Sequence, residues 1–287
     1  MIDLHTHTDE SDGTLAPAQL VRAAKELGLE ALAISDHDTF AGYDRAVPLA
    51  RAANLELVCG IELGTKLRRH PGAHPKAVHV LGYFLDGVPT TRFRQWLGGI
   101  QESRRDRNQR LAARLESLGV PVSVEEVEKR GRSLAGRPHF ARIMMEKGYV
   151  SSVQEAFEKY LGETAQAYVE RDEPSLSDGL RNILEAGGLP SVAHPARLGR
   201  QHILVERMIG EMRGLGLRAI EAYHPDHSAG EVQLFLDLAR RLGMGVTGGT
   251  DFHGDNKPEI ALGTGIRGNV TVPRSVLDNL RRLGSRH

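Results

Sequence analysis

The sequence predicts an α/β fold in which repeated βα units form a parallel sheet or barrel that an all-helical insertion interrupts. Short apolar runs alternate with segments whose apolar residues recur every three or four positions. This is the pattern of buried strands alternating with amphipathic helices. Strands that are apolar throughout are typical of parallel sheets, because helices cover both faces of such a sheet.

The N-terminal region starts this alternation. A strand is predicted at residues 2–5, and a helix predicted over residues 17–27 carries its apolar side chains on one face and is ended by Gly28. Glycine suits the left-handed backbone that commonly follows a helix. Further strands are predicted at residues 31–34, 55–61 and 78–84, and a second helix at residues 42–53.

The alternation stops in the middle of the chain and then returns. Residues 86–169 predict only helices, at 90–118, 123–130, 137–147 and 152–160. Beyond them, strands are predicted at residues 190–193, 217–222 and 245–247, and helices at residues 177–186, 203–213, 229–241 and 273–283. We therefore predict an α/β domain of residues 1–85 and 170–287, with a helical cap of residues 86–169 over the strand ends, where such folds carry their sites.

The composition excludes several classes of protein. The 287 residues contain 37 basic and 37 acidic side chains, so no overall charge attracts nucleic acid or a membrane surface. The single cysteine, Cys59, excludes an internal disulfide framework and a thiolate metal cluster. No apolar run reaches the roughly 18 residues of a membrane span, and the N-terminus lacks a signal-peptide pattern. We expect a cytoplasmic protein with no membrane association and no obligate protein partner.

The 13 histidines are the unusual feature of the composition, because histidine is a common metal ligand and acid–base group. Many of them, with several carboxylates, follow predicted strands. These segments are His5-Thr6-His7 with Asp12 beyond it, Ser35-Asp36-His37-Asp38, Gly60-Ile61-Glu62, His194-Pro195, residues 221–224 and residues 249–254, and His79 lies inside a strand. The C-terminal strand ends of a βα barrel meet at one rim, where these residues would come together. Strand geometry places His5 and His7 on one face, and Asp251 and His253 likewise if their backbone is extended.

This set of residues predicts a metal cluster. Six histidines, two aspartates and one glutamate exceed the roughly four to six ligands of a single ion and fit two or three divalent cations. Imidazole and carboxylate ligands without thiolate suit manganese, zinc or iron(II) alike. Such cations activate a bridging hydroxide for attack on phosphorus and neutralise phosphate oxygens, so phosphoester hydrolysis is the expected chemistry.

Other polar residues favour a structural interpretation. No metal role is expected for histidines in loops or at helix or chain ends, namely His70, His74, His202, His227 and His287. Asp36 and Asp38 are explained by local turn hydrogen bonds as well as by metal binding, and Asp36 could instead orient a ligating imidazole. A chance grouping of the polar residues at the strand ends is a poor explanation, because each buried polar group without a partner would destabilise the fold by about 1–3 kcal/mol.

At these residues the sequence resembles the PHP family, named for polymerase and histidinol phosphatase. The matching motifs run along nearly the whole chain in the family's order: His5-x-His7 with Asp12-Gly13, Asp36-His37-Asp38, Gly60-x-Glu62, His79, Ala193-His194-Pro195 and Gly249-Thr250-Asp251-Phe252-His253. The resemblance implies a distorted barrel of seven βα units with a trinuclear metal site. Thr250 stands where relatives often have serine, and it keeps the hydroxyl.

The resemblance also implies a ligand set for each cation. One ion would be held by His5, His7, Glu62 and Asp251, a second by Glu62, His79 and His194, and a third by Asp12, His37 and His253. Asp251 and His224 are the candidate catalytic side chains beside the bridging hydroxide. For His224, a structural role is as well supported as donation to the substrate phosphate or general acid catalysis.

Within the family, the helical insertion resembles the branch that hydrolyses nucleoside 3′,5′-bisphosphates and also trims short 5′-phosphorylated RNA. Residues 137–142, 160–161 and 167–169 carry this resemblance. The candidate substrate contacts are Arg137 and Arg142 for a second phosphate, His139 as a further donor, and Phe140 or Tyr168 for stacking a base. Phe140 is equally a candidate core residue. Arg137 and Arg142 are five positions apart and need not share a helix face.

The sequence therefore predicts a phosphoesterase that uses two or three divalent ions of manganese, zinc or iron. The expected substrate is a small nucleotide, foremost adenosine 3′,5′-bisphosphate (pAp) giving AMP and phosphate, with short 5′-phosphorylated RNA ends as a further substrate. A histidinol phosphate phosphatase and a non-catalytic metal-binding module are the alternatives. The balanced charge disfavours a sequence-specific nucleic-acid binder. Acidic residues interleave with the arginines of residues 104–114, which favours a solvated helix surface there.

Overall fold

The computed structural model describes residues 1–68, 75–132 and 134–284. Seven strands form one sheet in chain order: β1 (Ile2–Asp3), β2 (Ala31–Ile34), β3 (Glu56–Leu67), β4 (Lys76–Phe84), β5 (Leu189–Val192), β6 (Ala219–Tyr223) and β7 (Gly245–Gly248). The first and last strands approach each other, because the Leu4 N–H donates to the Gly248 carbonyl at 3.2 Å and the His7 N–H to the Phe252 carbonyl at 2.9 Å. The sheet is thus a nearly closed barrel, which confirms the predicted distorted barrel.

Strand β4 departs from the predicted parallel arrangement. It pairs antiparallel with both β3 and β5, whereas the other neighbouring strands are parallel. The cause is the length of β3, which continues six residues past its predicted end at residue 61. Only residues 68–75 then join β3 to β4, and a parallel crossover needs a dozen residues or more.

Ten helices accompany the sheet within the described residues, with bounds close to those predicted. They are α1 (Pro17–Glu26), α2 (Ala41–Ala52), α3 (Thr91–Ser117), α4 (Val124–Gly131), α5 (Arg137–Glu146), α6 (Val153–Ala156), α7 (Leu176–Glu185), α8 (His202–Gly214), α9 (Ala229–Leu242) and α10 (Ser275–Gly284). The helix predicted at 152–160 is instead the short α6 followed by a π-helical turn, Phe157–Leu161. Gly28 has φ +70°, the left-handed conformation expected after α1. No helix of the described residues is long and apolar enough to cross a membrane.

Helix α3 connects the barrel to the helical region. Its first turns pack Phe93 and Leu97 into the same hydrophobic cluster as strands β3 and β4. Its last turns pack Leu111 and Leu115 into a second cluster with α4, α5 and α6. Residues 86–169 therefore have apolar contacts of their own and lie against the barrel through one continuous helix. The division into two domains stays a prediction.

Candidate metal centre and adjoining cavity

The barrel brings all nine predicted ligands to one rim. His5 and His7 follow β1, and they meet Asp251 and His253, which follow β7, because residues 5–7 and 249–252 pair through the backbone. Gly249 permits this approach, since a Cβ there would lie 2.3 Å from the His5 backbone nitrogen. The extended backbone that would place Asp251 and His253 on one face is absent at Asp251, which is left-handed with φ +52°. The ring of His253, two residues further on, nevertheless stacks on the ring of His7, with 4.1 Å between the two centroids.

Glu62 lies at the centre of this rim. It is inside β3 rather than at a strand end, because β3 continues to Leu67, and it is almost fully buried. Its two oxygens face different histidines: Oε1 lies 2.8 Å from His79 Nδ1 and 3.0 Å from His194 Nε2, and Oε2 lies 3.2 Å from His5 Nε2, 3.1 Å from His7 Nε2 and 3.4 Å from His37 Nδ1. A carboxylate so placed can bridge two cations.

Two aspartates complete the cluster. Asp251 Oδ1 lies 3.5 Å from His5 Nε2 and 3.4 Å from His7 Nε2. Asp12 lies 3.2 Å from His253 Nε2 and 3.7 Å from His37 Nε2. Hydrogen bonds to Asp3 hold the segment before Asp251, since Asp3 accepts from the Thr250 N–H at 3.0 Å and from the Thr250 hydroxyl at 2.6 Å. The hydroxyl of Thr250, which serine also has, thus helps to hold the backbone before Asp251.

Three groups of these residues have ligand atoms within 4.8 Å of one another: His5, His7, Glu62 and Asp251; His7, Asp12, His37 and His253; and His37, Glu62 and His79. The first equals one set that the resemblance implies. The second group contains the implied set of Asp12, His37 and His253 and adds His7 to it. The third group has His37 where the implied set has His194, although His194 Nε2 still lies 3.0 Å from Glu62. Their assignment to particular ions stays a prediction.

The donor set fits divalent cations. Both ring nitrogens of His7 are buried without a hydrogen bond to any described residue, and buried nitrogens of this kind are satisfied when they bind a metal. Burial alone would raise the pKa of Glu62, but His37, His79 and His5 together hold that pKa well below its usual range. Burial lowers the pKa of His194 to about 3, which keeps the ring neutral, as a ligand must be.

The carboxylates also attract positive charge to the centre of the cluster. Burial on its own lowers the pKa of His7, yet Asp251, Glu62 and Asp12 raise that pKa to about 9. Asp251 is ionised as well, because Lys257 and nearby histidines hold its pKa well below the usual value against the effect of burial. Buried anions that recruit protons onto neighbouring imidazoles in this way favour cations at the same place.

Sequence reasoning missed Glu221, a fully buried carboxylate in β6. Its Oε1 lies 2.8 Å from His5 Nδ1, and its Oε2 accepts the His194 backbone N–H at 2.6 Å. An acceptor on Nδ1 places the proton there and leaves the Nε2 lone pair facing Glu62 and Asp251. The signal was available, because Glu221 lies in one of the strand-end segments.

The remaining aspartates of the second motif have structural contacts. Asp36 accepts hydrogen bonds from the Thr8 backbone and hydroxyl at 2.7 Å each and from Ser11, so it orders the loop after β1, and no imidazole of the described residues donates to it. Asp38 forms ion pairs with Arg171, at 2.8 Å, and with Arg104. Asp38 thus joins the rim to α3 and to the segment that returns from the cap.

His224 lies within the cluster, although not in any of the three ligand groups. Its ring is buried, its Nδ1 accepts the Asp226 N–H at 3.1 Å, and its Nε2 is 3.6 Å from Asp251 Oδ2. His227 is buried beside it, with Nδ1 2.8 Å from the Ala222 carbonyl, which agrees with a structural role. His202 is exposed, whereas His70, His74 and His287 lie outside the described residues.

A cavity of about 630 Å³ opens from the metal rim towards the cap. Asp12, His37 and His79 line one side, and the other side carries Arg104, Arg107, Arg137, Phe157, Tyr168 and Arg171. A second cavity, of about 260 Å³, shares those three rim residues and is also lined by Arg142, Arg197, Asp251 and Lys257. The predicted metal centre lies between the two cavities. Volumes of about 300–1,000 Å³ are typical of small-molecule sites.

The predicted substrate contacts separate into two groups. Arg137 and Tyr168 line the larger cavity, with the Arg137 guanidinium 5.8 Å from the Tyr168 ring centroid. Arg142 lines the smaller cavity and donates to the Asp255 carbonyl at 2.8 Å. Arg137 and Arg142 therefore line different cavities, and this arrangement does not support a joint contact to one phosphate.

The two residues between these arginines face the interior of the cap. Phe140 has no exposed surface and packs with Leu111, Leu115 and Met144, so it has no face free to stack a base. His139 is buried, and its Nδ1 accepts the Gly136 N–H at 3.1 Å at the start of α5. The expected substrate contact of Phe140 is wrong, and His139 serves as a helix cap.

The expectation of a solvated arginine surface on α3 is also wrong for two of its members. Arg105, Arg110 and Arg114 are exposed, but Arg104 and Arg107 turn inward to the larger cavity. Three positions separate the inward pair, so one helix face carries both. Alternating charges in sequence do not show which arginines face inward.

Residues 3–173 match the PHP domain family. A 3′,5′-nucleoside bisphosphate phosphatase of Chromobacterium violaceum is 30% identical over 254 residues, which cover 88% of this chain and 87% of that protein. The 5′-3′ exoribonuclease Rnm of Escherichia coli is 31% identical over 88% of this chain and 84% of its own length. A solved structure from Bifidobacterium adolescentis, described as a metal-dependent phosphoesterase, superposes with a TM-score of 0.83 at 28% identity, covering 99% of this chain and 96% of that chain.

Fold, site and relatives together define a metal-dependent phosphoesterase. The chain belongs to the PHP family.

Proposed function

We propose that this phosphoesterase removes one phosphate from a nucleoside 3′,5′-bisphosphate, converting pAp to AMP and phosphate, and that short 5′-phosphorylated RNA is a further substrate. The observation that carries this proposal is the larger cavity, which joins the metal rim to a wall of arginines and aromatic rings. One end suits a phosphate at the cations, and the other suits a second anionic group and a base. The names of the bisphosphate phosphatase and exoribonuclease relatives agree with this substrate class.

The chain's own residues would position the reacting phosphate. His5, His7, Asp12, His37, Glu62, His79, His194, Asp251 and His253 would hold two or three divalent cations, which supply an activated water and charge neutralisation. Arg197 and Lys257 reach the same place from the smaller cavity, where they contact Asp251 Oδ2 at 3.3 and 2.6 Å. Their charges would attract the phosphate oxygens and orient them beside the cluster.

A nucleobase would lie against the aromatic side of the larger cavity. Phe157 and Tyr168 both lie close to Arg137, whose guanidinium is 6.0 and 5.8 Å from their ring centroids. Stacking on such rings tolerates any base, because every base has a π face. The proposal therefore expects weak selection among the four nucleobases and strong selection for phosphates.

The test is release of phosphate, or of mononucleotide in the case of RNA, by chelator-treated protein resupplied with Mn²⁺, Zn²⁺ or Fe²⁺. The substrates are pAp, AMP, histidinol phosphate and a 5′-phosphorylated RNA pentamer. We expect metal-dependent release that favours pAp or the pentamer. Glu62→Gln should lower turnover by at least about 1,000-fold, because the cations contribute several kcal/mol to stabilising the transition state. Glu116→Gln, an exposed glutamate on α3, is the matched control and should behave as wild type.

Each alternative has its own outcome in this experiment. Release from histidinol phosphate alone would indicate the amino-alcohol phosphatase. Binding of the metals without release from any of the four substrates would indicate a non-catalytic module. Normal turnover by a folded Glu62→Gln variant would remove the basis for placing the reaction at this cluster.

A further inference from the structure

Arg107 is a buried cation with no hydrogen-bond or ion-pair partner among the described residues. Its side chain lies on α3, is only 4% exposed and lines the larger cavity. It donates no hydrogen bond to any described residue, and its Nε is enclosed without an acceptor. Burying an unpaired charge is unfavourable, so such a group favours binding of an anion that the described part of the chain does not supply.

The neighbouring arginines are paired differently. Arg104 and Arg171 share the carboxylate of Asp38, and Arg171 also contacts Glu173. The carboxylates of Asp38 and Glu173 therefore already form ion pairs with Arg104 and Arg171. Burial, together with the positive charges of Arg104, Arg137 and Arg171, lowers the pKa of Arg107. Glu173 attracts the charge of Arg107 without forming an ion pair with it. Among the described residues, Arg107 is therefore the arginine of this cluster that no carboxylate contacts directly.

The position of Arg107 relates it to the proposed reaction. The cavity that it lines also opens on Asp12, His37 and His79, which belong to the predicted metal centre. A ligand that spans the cavity would place one end at the metal rim and the other at Arg107. Arg137, on the same wall, donates through Nη1 to the Leu161 carbonyl at 3.1 Å and has further N–H groups to offer.

We propose that Arg107 binds the second phosphate of the substrate, the one that is not cleaved, and so makes two phosphate groups a requirement for tight binding. This inference rests on the proposed function. In both substrate classes, the group that Arg107 would bind is a nucleotide phosphate that one sugar separates from the reacting phosphate. In a nucleoside bisphosphate it is the phosphate that stays on the product. In RNA trimmed from its 5′ end it is the 5′-terminal phosphate, because the first phosphodiester is the bond that is cut.

The test compares Arg107→Met with Arg105→Met, an exposed arginine on the same helix. For Arg107→Met we expect the KM for pAp to rise about 10- to 100-fold with kcat changed by less than about threefold, because a charge-assisted contact to a part of the substrate that does not react is lost. The AMP isomer that keeps only the reacting phosphate lacks the group that Arg107 would bind, so its hydrolysis should change by less than about threefold. The other isomer is the reaction product and should not be hydrolysed. Arg105→Met should match wild type throughout.

Calorimetric titration of the metal-free protein with pAp gives a readout independent of turnover. Wild type should bind pAp at least about tenfold more tightly than Arg107→Met does. Equal affinity would overturn the inference even if pAp is a good substrate. If wild type fails to hydrolyse pAp but binds it through Arg107, the proposed function fails and the anion site stands. A 5′-phosphorylated dinucleotide tested in the same way separates the RNA source from the bisphosphate source.

Stability measurements distinguish binding from a structural role. Because Arg107 has no partner among the described residues, its removal should leave the melting temperature of the free protein unchanged or higher. A decrease of more than about 5 °C in both Arg107→Met and Arg107→Gln would show a structural role and overturn the inference.

Discussion

Glu221 offers a sharp test of how the metal centre is organised. Glu221→Gln keeps the shape of the side chain and replaces one acceptor oxygen with an NH₂ donor. In the wild type both oxygens accept, Oε1 from His5 Nδ1 at 2.8 Å and Oε2 from the His194 backbone N–H at 2.6 Å. A glutamine can satisfy one of these donors and must turn its NH₂ towards the other.

The magnitude follows from that mismatch. A buried donor without an acceptor costs about 1–3 kcal/mol, and 1.4 kcal/mol corresponds to a tenfold change in an equilibrium constant. Both affected residues, His5 and His194, are predicted ligands. We therefore expect metal affinity to fall about 10- to 100-fold, the usual effect of removing a group that orients a ligating histidine.

The assay is direct Mn²⁺ binding by equilibrium dialysis of the chelator-treated protein, with metal content measured in each compartment. The exposed Glu116→Gln is the control, and the melting temperature of each variant shows that it is folded. A folded Glu221→Gln variant with a Kd for Mn²⁺ within about twofold of wild type would refute the argument that Glu221 orients His5.

Three further predictions concern the surroundings of the site. Asp38→Asn should lower the free energy of unfolding in urea by about 3–5 kcal/mol, because Arg104 and Arg171 lose a buried carboxylate; a change below about 1 kcal/mol would contradict this. Phe140→Leu should cost about 1–2 kcal/mol of stability while the KM for pAp stays within about twofold, whereas a large rise in KM would restore a substrate contact. Cys59 should resist a thiol reagent at pH 8 until the protein unfolds, because burial raises its thiol pKa and excludes the reagent; rapid labelling of the folded protein would be the contrary result.

The arginines show where sequence patterns lose their predictive value. Arg104, Arg105 and Arg107 lie within one turn of α3, and the acidic residues Glu102 and Asp106 lie among them in the sequence. The structure leaves Arg105 exposed and buries Arg107 at the cavity. Which side of α3 faces the barrel depends on contacts made by Phe93 and Leu97 with strands far away in the sequence.

Local information in the chain was sufficient to predict the helices, most strands and the candidate ligands that the structure brings together. Helix bounds depend on periodicity and on end signals within a few residues, as at Gly28. The candidate ligands could be recognised because donors such as His5, His7 and Asp251 follow short apolar runs, and parallel strand ends meet at one rim. Both rules use only neighbours in sequence and one property of the fold class.

Tertiary structure alone decided the features that depend on distant partners. Strand β4 became antiparallel because β3 extends along it, which places His79 beside Glu62. Glu221 acquired its importance from two donors, on His5 and His194, that lie far from it in the sequence. Phe140 became a core residue and Arg107 an unpaired cation through the packing of the cap. Burial and pairing are properties of the assembled surroundings, so a residue's type and its sequence neighbours do not determine them.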